Sequence, residues 1–88
     1  MTAVIHIASI LVRVQPPQLQ ALTELMRTVD GLELHAADPA GKLVAVLEAE
    51  SERQIVETLD RIQQQPGVYA ANLVYHHMES ADSLAQEL

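Results

Sequence analysis

Cysteine, tryptophan and phenylalanine are missing from this 88-residue chain, and tyrosine occurs only twice. Without cysteine there is no disulfide, thiolate nucleophile, iron–sulfur cluster or thiolate zinc site, so much of the chemistry open to small domains is excluded at once. With Tyr69 and Tyr75 as the whole aromatic content, the stacking platforms that hold single-stranded nucleic acid are lacking. Bases are scarce too. Five Lys and Arg against twelve Asp and Glu give a formal net charge of −7, which opposes a phosphate backbone and favours a cationic partner. The three glycines are isolated at turns, so no phosphate-cradling loop is present. No apolar run approaches the roughly 20 residues that span a bilayer, and the mean hydropathy is +0.10. No direct membrane insertion is expected. The first residues carry no basic segment ahead of their apolar stretch, which Arg13 interrupts; this predicts no secretory signal and a cytoplasmic location.

What the chain does have is a hydrophobic fraction of 49%, enough for one core in a domain of this size. Residues 5–14 are rich in β-branched side chains and end at Pro16-Pro17, predicting a first strand. Leu19, Leu22, Leu25, Met26 and Val29 then recur at helical spacing, up to the break at Asp30-Gly31. Residues 32–36 alternate with period two, Asp38-Pro39-Ala40-Gly41 reads as a turn, and residues 43–47 complete a hairpin. Ser51 with Gln54 three residues on is a capping pattern ahead of the apolar stripe Ile55, Val56, Leu59 and Ile62. Pro66-Gly67 ends that helix, and residues 68–75 form a fourth strand. The order βαββαβ, with halves offset by 36 residues, predicts an α+β ferredoxin-like sandwich: a four-stranded antiparallel sheet with two helices on one face. Residues 1–77 make that domain, and 78–88 are expected to be an acidic, disordered tail.

An antiparallel sheet covered on one side should alternate apolar and polar residues. Here three strands are apolar on both faces. Placing the charged Arg13, Lys42 and Glu48 away from the helices assigns Ile7, Ser9, Leu11, Val44 and Val46 to the open face. The same reading of strand four adds Ala71, Leu73 and Tyr75, and sends Val68, Ala70, Asn72 and Val74 to the helix side. An apolar patch of several hundred Å² on such a face marks either a binding surface or a homodimer contact.

Three other constellations carry residues capable of chemistry. His76-His77-Met78, with His6 and His35 elsewhere, invites a copper or zinc reading, but adjacent histidines on a strand point apart and no carboxylate or thiol sits at ligand spacing. No metal or cofactor is expected. Ser9 lacks a base on its own strand face, a base such as His35 would have to approach across strands, and no enzyme is expected. Glu48, Glu50 and Glu52 lie at a strand-to-helix junction, where acids either favour the helix N-terminus or attract a basic peptide.

Ser9-Ile10-Leu11-Val12, the run from Gly41 through Leu47-Glu48-Ala49-Glu50, and Pro66-Gly67-Val68-Tyr69-Ala70-Ala71-Asn72-Leu73-Val74-Tyr75-His76 resemble the NapD family over residues 7–77. That resemblance implies a cytoplasmic chaperone that binds the twin-arginine signal peptide of the periplasmic nitrate reductase catalytic subunit. By holding it, the chaperone would prevent export before molybdenum cofactor is inserted. The expected peptide surface is Ile7, Ser9, Leu11, Val44, Val46, Glu48, Glu50, Leu73 and Tyr75, on a monomer or weak homodimer. A small-molecule-sensing or dimerising regulatory module of the same shape is the alternative.

Overall fold

The β-branched first segment forms β1 (Val4–Val14), which ends where Pro16 and Pro17 remove donors and start a single 3₁₀ turn, Pro16–Gln18. That turn feeds α1 (Leu19–Arg27); β2 (Leu32–Asp38) and β3 (Lys42–Ala49) follow as a hairpin, then α2 (Glu52–Gln63) and β4 (Val68–Ser80). These spans come from a computed structural model, in which residues 4–80 are described. The strands form one sheet in the order β2-β3-β1-β4, every neighbouring pair antiparallel, so the fold is ferredoxin-like. Among the described residues no helix is long and apolar enough to cross a membrane.

Local chemistry sets the boundaries. Asp38 Oδ1 accepts from Ala40 N–H at 2.8 Å, and Gly41 N–H donates to the Asp38 carbonyl, closing the β2–β3 turn. Gly41 has φ +101°, and a Cβ there would stand 2.0 Å from the Val14 carbonyl oxygen, so only glycine fits. At the start of α2, Ser51 Oγ accepts from Gln54 N–H at 3.2 Å, while Gln54 Oε1 accepts from Glu50 N–H at 2.8 Å. The reciprocal cap reaches one residue further back than the usual box.

The core is the helix-facing side of the sheet. Ala8, Ile10, Val12 and Val14 of β1 and Leu43, Ala45, Leu47 and Ala49 of β3 are buried against Leu22 and Met26 of α1 and Ile55 and Ile62 of α2. Gln63 Nε2 donates to the Ala71 carbonyl at 3.1 Å, tying α2 to β4. The strict alternation of β1 and β3 therefore comes from one dry face and one open face.

Strand four corrects the sequence reading. Two register shifts in the β1–β4 ladder leave Tyr69 and Val74 as extra residues: Arg13 pairs with Ala70 but Val14 with Val68, and Ser9 pairs with Tyr75 but Ile10 with Leu73. Each bulge inverts the parity. Ala71 consequently lies opposite buried Val12 and is 4% exposed, a core residue. Leu73 lies opposite buried Ile10 in the core-facing row, where its place on an edge strand leaves it 43% exposed. Asn72 and Ala70 take the open-face positions beside Leu11 and Arg13. The second bulge restores the parity, so Tyr75 pairs with Ser9 as expected; its side chain lies outside the described residues. The strand also outruns its expected end, since Met78 pairs with His6 and Ser80 with Val4. Residues 78–80 belong to the sheet and not to a tail, and the rest of the expected tail, 81–88, lies outside the described residues.

Candidate functional site

Antiparallel partners share a face, so the registers lay the open side out as four rows running from β2 through β3 and β1 to β4. The two middle rows are Glu33, Val46, Ser9, Tyr75 and Ala36, Val44, Leu11, Asn72. Beyond one end lie Glu48, Ile7 and His77; beyond the other lie Asp38, Lys42, Arg13 and Ala70. Ile7, Ser9, Leu11 and Val46 are half-buried by their neighbours, and Val44 is 37% exposed. The result is an apolar strip flanked by charge.

The charge is polarised along the strands. Arg13 and Lys42 stand at the end near the β2–β3 turn, while Glu33 and Glu48 flank Val46 at the other. Gly31, Leu32, Glu33, Val46 and Glu48 line a hollow of about 270 Å³ there. An adjoining hollow of about 400 Å³ brings Asp30, Glu48 and Glu50 together with Ile5 and Gln54. Gly31 underlies both, with φ +80° and its carbonyl accepting from Glu48 N–H at 2.8 Å. A Cβ at Gly31 would lie 2.3 Å from the Glu48 carbonyl oxygen. The acidic corner is thus held rigid by backbone. His35 Nε2 lies 3.9 Å from Glu33 Oε2, on an exposed pair that contributes little energy but keeps a side chain near the corner.

The structure brings together Ile7, Ser9, Leu11, Val44, Val46 and Glu48 on one face, with the Tyr75 backbone in the Ser9 row. Glu50 lies off the sheet, in the loop before α2, and reaches the same acidic corner. Leu73 is turned away from the strip by the bulge at Val74. Ser9 and His35 are held apart by β3: Ser9 shares a row with Glu33, two strands over, about 10 Å at roughly 4.8 Å per strand. Five exposed large apolar residues, Val4, Tyr69, Leu73, Val74 and Met78, lie on β4 or pair with it, so the outer edge is apolar as well. One cluster escaped the spacing argument altogether. His6 and His76, 70 positions apart, meet with Nδ1 and Nε2 2.9 Å apart. Nothing local signals that contact, which depends on the β1–β4 register.

A ferredoxin-like sheet with one face packed on two helices and the other apolar and flanked by charge defines a small α+β domain with an open sheet face. The NapD protein family profile matches residues 5–80, and the chain belongs to the NapD family. Chaperone NapD of Escherichia coli (strain K12) is 28% identical over 75 residues, covering 84% of this chain and 86% of the relative. Chaperone NapD of Paracoccus pantotrophus is 36% identical over 78 residues, covering 89% and 69% respectively. The solution structure of the E. coli Tat proofreading chaperone protein NapD superposes with a TM-score of 0.74 at 28% identity, covering 85% of this chain and 80% of that one. A transcriptional regulatory protein of the AsnC family from Pyrococcus furiosus shares the fold, with a TM-score of 0.59 at 16% identity, over 85% of this chain and 49% of that one. NapD proteins are chaperones, not enzymes.

Proposed function

We propose that this chaperone binds the twin-arginine signal peptide of the periplasmic nitrate reductase catalytic subunit on the open face of its sheet. Binding takes place in the cytoplasm, by a monomer or weak dimer, and delays export until molybdenum cofactor is in place. The observation that carries the reading is the polarised face: an apolar strip of Ile7, Leu11, Val44 and Val46 running into an acidic corner of Glu33, Glu48 and Glu50. A basic pair followed by a moderately apolar stretch matches that order of features.

Dimensions agree. From the Ile7–Glu48 row to the Arg13–Lys42 row is six residues of strand, about 20 Å at roughly 3.3 Å per residue. A helix of about 13 residues spans that length, and its diameter of about 10–12 Å fits across three strands. An amphipathic peptide helix lying along β1 and β3 would set its arginines at the acidic corner and its apolar stripe on the strip. Guanidinium groups bind carboxylates through two parallel hydrogen bonds, which ammonium groups cannot do.

Calorimetric titration with a twin-arginine peptide and its twin-lysine counterpart tests this. The arginine peptide should bind at least about tenfold more tightly, as bidentate contacts to carboxylate require. Equal affinity would remove the acidic corner from the mechanism. A second docking mode is favoured by the apolar β4 edge, where an extended peptide would add a strand. Protection of β4 amides from exchange, with the open-face rows unperturbed, would select it.

A further inference from the structure

The helix side of the sheet ends in a cluster that peptide binding does not use. His6 belongs to the core-facing set of β1, and His76 pairs with Ala8 of that same set, so the two imidazoles lie diagonally across β1 and β4 on the helix side. His6 Nδ1 and His76 Nε2 are 2.9 Å apart, with ring centroids at 5.2 Å and planes tilted by 31°. Glu52, the first residue of α2, brings a carboxylate oxygen to the same place, and one ligand atom from each of the three residues falls within 4.8 Å of the others. Both histidines are half-buried and Glu52 is exposed.

We propose that His6, His76 and Glu52 form a site for one divalent zinc ion. Two imidazoles and one carboxylate are a ligand set that zinc accepts with a fourth position left to water, which the exposed carboxylate side can supply. Magnesium and calcium prefer all-oxygen surroundings and copper(I) prefers sulfur, so the nitrogen-rich set selects against all three. Geometry is close to what zinc needs. With metal–ligand lengths of about 2.0–2.1 Å and tetrahedral angles, neighbouring ligand atoms stand roughly 3.3–3.4 Å apart. The histidine pair therefore has to open by about half an ångström, while the exposed Glu52 side chain closes by rotamer adjustment.

With both rings neutral, a 2.9 Å N···N contact is an N–H···N bond whose proton sits on one of the two facing nitrogens. Shifting the donating ring to its other tautomer moves the proton to the remote nitrogen and leaves both facing nitrogens with lone pairs. Zinc can then replace the shared proton with no net loss of protons from the neutral pair. The scaffold is preformed, because strand register fixes both histidines and the Ser51 cap fixes the start of α2. Occupancy would pin β1, β4 and α2 together on the face opposite the peptide strip.

Calorimetric titration of zinc chloride into the untagged chain at neutral pH is the test, alongside thermal melting and the histidine ring resonances. One ion per chain is expected, with a rise in thermal midpoint and shifts of the His6 and His76 ring signals. His6→Asn and His76→Asn should each weaken binding by at least about tenfold, the size seen when a ligand or its support is removed. His35→Asn, on the far side of the sheet, should leave it unchanged. Glu52→Gln keeps the helix start intact and should weaken binding by several-fold, so a folded variant is available even if a histidine variant melts. No uptake at millimolar zinc, uptake that survives His6→Asn or His76→Asn, or uptake lost in His35→Asn would overturn the proposal.

Discussion

Ile10 and Leu11 are adjacent in β1, equally apolar, and face opposite sides of the sheet, so truncating each separates core from binding surface. Ile10 is 0% exposed, and Ile10→Ala removes packed methylenes from the centre of the core, costing about 2–5 kcal/mol. For a domain of this size that lowers the thermal midpoint by roughly 8–40 °C, at about 4–8 °C per kcal/mol. Leu11 is half-buried by its open-face neighbours, so Leu11→Ala forfeits about half of a full leucine's methylene burial, about 1 kcal/mol. Its midpoint falls by only about 4–8 °C. Peptide binding should show the reverse order. Covering the exposed half of Leu11 contributes about 1 kcal/mol, so Leu11→Ala weakens a twin-arginine peptide about fivefold, while Ile10→Ala, measured where it is folded, stays within about twofold. Scanning calorimetry and peptide titration on the two variants give all four numbers. Equal destabilisation by both, or an affinity that depends on Ile10 and not on Leu11, would refute the assignment of faces.

Other outcomes follow from the same geometry. Glu48→Gln and Glu33→Gln should each weaken peptide binding several-fold at low salt and by less at high salt, because salt screens the charge attraction while the loss of a carboxylate oxygen as guanidinium acceptor remains; calorimetry across a salt series reads this. Gly41→Ala should cost about 2–4 kcal/mol, from a left-handed φ and a Cβ driven into the Val14 carbonyl, measurable by urea unfolding. Ser51→Ala should cost about 1 kcal/mol, because the Gln54 N–H loses its acceptor, and should lower helix content at the start of α2 in hydrogen exchange.

Most of the fold was legible because its signals are local. The Pro16-Pro17 stop, the Asp38–Gly41 turn and the Ser51 cap act within a few residues, and each set a boundary the structure keeps to within one or two positions. The open-face assignment in β1 and β3 worked because Arg13, Lys42 and Glu48 mark one parity in strands whose mutual register has no irregularity. Strand four carries no such marker between Val68 and Tyr75, and its bulges at Tyr69 and Val74 are set by pairing with β1, which a period-two reading cannot see. Hence Ala71 and Leu73 were misplaced while Tyr75, beyond the second bulge, kept its row. Glu33 was missed at the acidic corner because it read simply as the polar phase of strand two; only the β2–β3 register sets it beside Val46. The meeting of His6, His76 and Glu52 depends likewise on long-range pairing and on where α2 begins.

The central claim is that the partner lies on the open face of the sheet, with its arginines at the Glu33–Glu48–Glu50 corner. Amide shifts of the isotope-labelled chain, followed during titration with the twin-arginine peptide, test it most directly. The account predicts that the largest changes fall on Ile7, Ser9, Leu11, Val44, Val46 and Glu48, with α1 and α2 nearly silent. Changes concentrated on the outward surfaces of the helices, or none at all with peptide in excess, would contradict it.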